Sequence, residues 1–109
     1  MNRMDNTLIA YLIGVDKAET NSNGEIVCSY TKDSKRFVCM RLALSLIEEY
    51  EDSPLDGKIL LPIIQDVRKI FKEVLESASQ IFRGISIVYD KETQNVIDQL
   101  DEILLNNNK

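Results

Sequence analysis

Apolar side chains recur along this chain with helical spacing in three long stretches. The plainest runs from Ile63 to Phe82, where Ile63, Ile64, Val67, Ile70, Phe71, Val74, Leu75, Ala78, Ile81 and Phe82 return every three or four positions. Asp66, Arg68, Lys69, Lys72, Glu73, Glu76 and Gln80 lie between them, so the pattern predicts an amphipathic helix about 30 Å long. Pro62 suits its first turn, where an N–H is not needed, and Gly84 suits its end. A start further upstream at Pro54, behind a Ser53 cap, would instead put a kink at Pro62. A second helix is predicted over Lys35 to Asp52. There Phe37, Val38, Cys39, Met40, Leu42, Ala43, Leu44, Leu46, Ile47 and Tyr50 leave a narrow polar stripe through Arg41, Ser45, Glu48 and Asp52. So wide an apolar face implies a place near the centre of the fold. The third helix spans Lys91 to Asn106, with Asp90 as N-cap and Val96, Ile97, Leu100, Ile103 and Leu104 as its stripe.

Three segments leave helix and strand open. Leu8 to Val15 contains no charged or amide side chain that would reveal a period. Glu25 to Thr31 alternates, with Ile26, Cys28 and Tyr30 on one side, and Ile85 to Tyr89 is rich in β-branched residues. A lone strand is unstable, so one strand here implies a second. Thr20 to Gly24 and Ser53 to Gly57 punctuate the chain as turns. The expected fold is mostly α: one compact domain over residues 1–109, with four helices and a short β-hairpin or strand pair. The alternative is an α+β domain with a small three-stranded sheet.

Composition narrows function by exclusion. The 109 residues contain no histidine, which removes Ser-His-Asp and Cys-His nucleophile systems and the commonest zinc ligand. Cys28 and Cys39 match no metal-binding or redox spacing and read as reduced thiols, at least one of them in the core. The four glycines are isolated, so there is no phosphate-binding loop. No metal or cofactor is expected, and no intrinsic catalysis. With a net charge of −5 the chain lacks the basic surface a nucleic-acid binder needs. The Leu8–Val15 run is far shorter than the roughly 20 residues of a transmembrane helix. Asp5 before it and the absence of a cleavage site after it argue against an export signal, so a cytoplasmic protein is expected.

The charge is unevenly placed. Residues 1–47 sum to +1 and residues 58–91 to +2, whereas residues 92–109 sum to −3. Residues 48–57 carry Glu48, Glu49, Glu51, Asp52 and Asp56 with no base, for −5. Carboxylates at a helix C-terminus oppose the macrodipole by about 0.3–1 kcal/mol each when exposed, although a following helix near Ser53 would welcome them at its N-terminus. Glu48, Glu49, Tyr50, Glu51, Asp52 and Asp56 are therefore the candidate partner-binding residues. They suit a small acidic module that docks on a basic protein surface, of the inhibitor, immunity or antitoxin kind. A homodimer through the wide apolar faces is a further expectation.

Two family resemblances imply other roles. Glu48-x-x-Glu51 with Glu73-x-x-Glu76 resembles the paired acidic motifs of the all-α nucleotide pyrophosphohydrolases, which would imply a Mg²⁺-dependent enzyme with carboxylates on facing helices. The second motif departs from that family in ending in Glu76 rather than Asp. Lys69–Glu73 and Lys72–Glu76 also have the spacing of surface ion pairs. Asp52-Ser53 before a helical segment resembles the acyl carrier proteins, and implies a phosphopantetheine-bearing serine. Here Pro54 follows the serine directly, and the family's long preceding loop is missing.

Overall fold

A computed structural model describes residues 5–36, 40–53 and 57–107. Four helices and three short strands follow in the order α1 (Asn6–Ile13), β1 (Lys17–Thr20), β2 (Ile26–Ser29), α2 (Met40–Asp52), α3 (Gly57–Ile81), β3 (Ile87–Tyr89) and α4 (Lys91–Asn106). The mostly helical expectation holds, and the sheet has the three strands of its alternative. β2 is central, antiparallel to β1 and parallel to β3. The parallel pair needs a crossover, which α2 and α3 supply.

The open segments resolve through their flanks. Asp5 caps α1 by accepting from the Thr7 amide at 2.7 Å, and Gly14 ends it at φ 91°. The Gly14 and Val15 amides both donate to the Ala10 carbonyl. A Cβ on Gly14 would meet nothing within 4 Å, so Gly14→Ala costs only the left-handed backbone strain. That is about 1 kcal/mol, to be read as a lower urea midpoint, and Gly14→Asn should lose less.

β1 was not foreseen: Lys17–Thr20 offers only Ala18 to the core and exposes the rest. It exists because β2 holds it, across a loop in which Asn21 Oδ1 accepts from the Asn23 and Glu25 amides. In β2 the predicted alternation is observed. Ile26 and Cys28 are buried, and so is Tyr30 just beyond the strand.

Two helix starts differ from expectation. Lys35 and Arg36 are not helical: Ser34 is buried, its hydroxyl accepts from the Arg36 amide, and Arg36 reaches back to Asp16. These contacts hold the segment against β1, and α2 is observed from Met40. Phe37, Val38 and Cys39 lie outside the described residues. α3 begins at Gly57, six residues before the predicted start, so Pro62 lies inside it. Its missing N–H leaves the Lys58 carbonyl without an intrahelical donor, near enough to the helix end for water to replace it. α3 ends one residue short of the prediction, before the Gly84 turn, and α4 matches it end to end, with Asp90 capping the Thr93 amide at 2.9 Å.

The centre belongs to α3, not to α2. α3 packs on α1, α2, α4 and β3, whereas α2 packs chiefly on α3 and α4. Phe71, fully buried midway along α3, meets Tyr30 and Tyr89 edge-on at centroid distances of 5.7 and 5.8 Å. The Tyr89 hydroxyl donates to the Phe71 carbonyl at 2.7 Å. Cys28 lies buried in the same core as a free thiol.

Burial gives this cluster an alkaline limit. Burial, then the nearby Asp90 carboxylate, pushes the Cys28 thiol up to about 11 from 9.0. Burial, then Asp16, pushes Tyr30 up to about 12 from 10.0, and burial raises Tyr89 further. A native value above the unfolded one means stability that is complete below the unfolded value and lost as pH rises through the native one. Each unit of difference is worth about 1.4 kcal/mol. These groups should leave the urea midpoint unchanged up to about pH 9 and lower it steeply across pH 10–12. Tyrosinate absorbance from Tyr30 and Tyr89 should appear together with the loss of helical circular dichroism.

Candidate functional site

α2 and α4 end side by side. Asn107, which caps α4, donates from Nδ2 to the Tyr50 hydroxyl at 2.6 Å and to the Ile103 carbonyl at 2.8 Å. That pair of bonds fixes the last turn of α2 against the last turn of α4. It also brings the carbonyl ends of two helices to one end of the molecule, where their dipoles add negative potential.

The predicted acidic residues sit on this end. Glu48, Glu49, Glu51 and Asp52 are exposed, while Tyr50 is half-buried and anchored by its hydroxyl. Asp56 lies outside the described residues. The Ser53 amide donates to the Glu49 carbonyl at 3.0 Å and so closes the last turn of α2, which ends at Asp52; the alternative helix start at Pro54 lies outside the described residues. No ion pair engages Glu48, Glu49, Glu51 or Asp52 among the described residues, and the nearest base along the chain is Lys58 in the first turn of α3. By contrast, Asp101 on α4 is held by Arg68, half-withdrawn from solvent.

Between the two helices lies a cavity of about 250 Å³ whose lining includes Ile47 and Ile103, with Glu51 on one wall and Glu102 on the other. Gln99 and Asn106 complete the α4 side. Glu102, Ile103 and Asn107 were not among the candidate residues. The signal that pointed to them was the second acidic stretch at the end of the chain, but only the parallel packing of α2 and α4 joins it to the first. The resulting surface has an apolar floor, carboxylates on both sides and hydrogen-bonding amides at its margin. Chemically it suits the recognition of a cationic side chain with an apolar stem, since such a residue can bury the stem and keep its charge among acids.

The two Glu-x-x-Glu motifs are not brought together. Glu51 borders α4 near Glu102, whereas Glu76 borders it near Gln94, about 12 Å further along that helix. Glu73 and Glu76 are each within 3.9 Å of the lysine four residues earlier. No three acidic or thiol side chains among the described residues come together as a metal site would require. No helix among them is long and apolar enough to cross a membrane. Comparison with protein-family models, curated proteins and solved structures gives no match to this chain.

Proposed function

We propose that this chain is a small non-catalytic binding module that docks, in the cytoplasm, on the basic surface of another protein. Among such modules an inhibitor, immunity or antitoxin role fits its size and charge best. The observation that carries the reading is the acidic groove at the shared end of α2 and α4. Glu51 and Glu102 line its apolar floor from the two helices, Glu48, Glu49 and Asp52 are exposed nearby on α2 with no ion pair among the described residues, and two helix C-termini end there. A fold that merely needed solubility would gain by spacing these charges or pairing them, because each opposes the dipole of the helix that carries it.

Such a surface steers a basic partner during encounter and so raises the association rate more than the affinity per contact. The test is capture of a basic protein from extract of the native host at physiological salt. The wild-type chain is compared with a variant in which Glu48, Glu49, Glu51 and Asp52 are all Gln. Loss of capture by a folded variant supports docking at this end. Equal capture contradicts it.

A further inference from the structure

The loop between β1 and β2, Asn21-Ser22-Asn23-Gly24, contains two asparagines, each followed by a small residue. The structure holds them differently. Asn21 Oδ1 accepts from the Asn23 and Glu25 amides at 3.0 and 2.9 Å, and Asn21 Nδ2 donates to Glu25 Oε1 at 3.0 Å. Glu25 is tied in turn, accepting at Oε2 from the Ser86 hydroxyl at 3.4 Å. Asn23 is exposed, and its carboxamide makes no hydrogen bond among the described residues. The backbone nitrogen that follows it belongs to Gly24, at φ 79° with nothing within 4 Å of the place a Cβ would take. No side chain therefore screens that nitrogen from the Asn23 side-chain carbonyl carbon. The Gly24 amide donates to the Asn21 carbonyl at 3.1 Å, the closing bond of the turn, so any reaction at this nitrogen waits on that bond opening. Asn6, Asn95 and Asn106 lie in helices instead, where the following amide is fixed in a regular backbone.

We propose that Asn23–Gly24 is a site of spontaneous covalent modification, at which Asn23 converts to aspartate and isoaspartate. The Gly24 nitrogen loses its proton to solvent base and attacks Asn23 Cγ. The Cγ–Nδ2 bond breaks, and Nδ2 takes a proton from solvent and leaves as ammonia. The cyclic imide that remains is opened by one water. Attack at Cγ gives aspartate, and attack at the backbone carbonyl gives isoaspartate, in which the main chain runs through the side chain. Nothing is oxidised or reduced. Isoaspartate lengthens the chain by a methylene between the Asn23 and Glu25 amides, the two groups that Asn21 Oδ1 holds together. It therefore breaks the clasp that joins β1 to β2, whereas aspartate leaves the clasp intact. The site is remote from the acidic groove and does not depend on it.

The test is incubation of the full folded chain in mildly alkaline buffer, with peptide mapping by mass spectrometry and fragmentation that separates isoaspartate from aspartate. The exchange of NH for O should appear at Asn23 before any other described asparagine, with isoaspartate among the products. Asn21→Ala removes the clasp and should raise the rate at Asn23 about fivefold or more. The isolated isoaspartate form should unfold at a lower urea concentration than the fresh chain, whereas Asn23→Asp should not. Earlier reaction at Asn21 overturns the proposal. So does an Asn23 still intact long after the urea-unfolded chain has converted fully, or an Asn21→Ala chain that reacts no faster.

Discussion

Phe71→Ala should remove about a fifth or more of the stability of this protein. The side chain is fully buried at the middle of α3 and touches both tyrosine rings of the core edge-on. Truncating a buried phenylalanine costs about 3–5 kcal/mol, the spread reflecting how far neighbours can close the gap. Closure is poor here, because Tyr89 is held by its hydroxyl bond to the Phe71 backbone and Tyr30 by neighbours on two elements. The Tyr30 amide bonds the Thr93 hydroxyl and its own hydroxyl bonds the Gly14 carbonyl. A domain of this size has a total of about 5–15 kcal/mol. Urea unfolding followed by circular dichroism should therefore show a much lower midpoint with an unchanged slope. A loss below about 1 kcal/mol would mean that the aromatic cluster is not the centre of the core.

That cluster also shows why part of the fold could not be read from the chain. Phe71 was recognisable as an inward residue of α3 because charged residues interrupt the pattern on the other face. Tyr30 and Tyr89 lie far from it in sequence and meet it only through the β2–β3 pairing, whose parallel register depends on a crossover of two helices. Local spacing contains no such information. The same reason hid β1, a strand with one inward residue that is stable only as the neighbour of β2. α4 was fully legible, having both a cap and a clean stripe. α1 could have been, since Asp5 and Gly14 bracket it as cap and stop. The apolar run between them has no polar face, and that masked the period. α2 was overextended because Lys35 and Arg36 look helix-compatible locally, yet the Arg36–Asp16 contact draws them toward β1.

The candidate site was legible to the same depth. The acidic run at Glu48 to Asp52 is a sequence feature, as is the lesser acidity of α4. That the two share one groove is a tertiary fact, made by the Tyr50–Asn107 bond and the apolar contact of Ile47 with the α4 side. The motif pairing Glu51 with Glu76 failed for the complementary reason. Similar spacing on two helices does not place the motifs at the same level along the helices that carry them.

Neutralising the acidic end should separate binding from folding more completely than any other change. Glu48, Glu49, Glu51 and Asp52 are exposed, make no ion pair among the described residues, and sit where the α2 dipole disfavours them. Replacing all four with Gln removes about 0.3–1 kcal/mol of unfavourable interaction apiece at low ionic strength. The variant should be at least as stable as the wild type, with the difference shrinking as salt is added. Binding should respond in the opposite direction, since charge at this surface drives encounter with a basic partner.

The decisive measurement sets this variant beside a control with an identical change in net charge. The control converts Glu19, Glu73, Glu76 and Glu92 to Gln, four exposed carboxylates away from the groove. Both are assayed as bait for a basic partner at physiological salt, with thermal unfolding confirming that each is folded. Docking through the α2–α4 end predicts that the control retains capture and the groove variant loses it. Equal capture by both would contradict a binding site at this end, and equal loss would mean that net charge alone, not this surface, governs association.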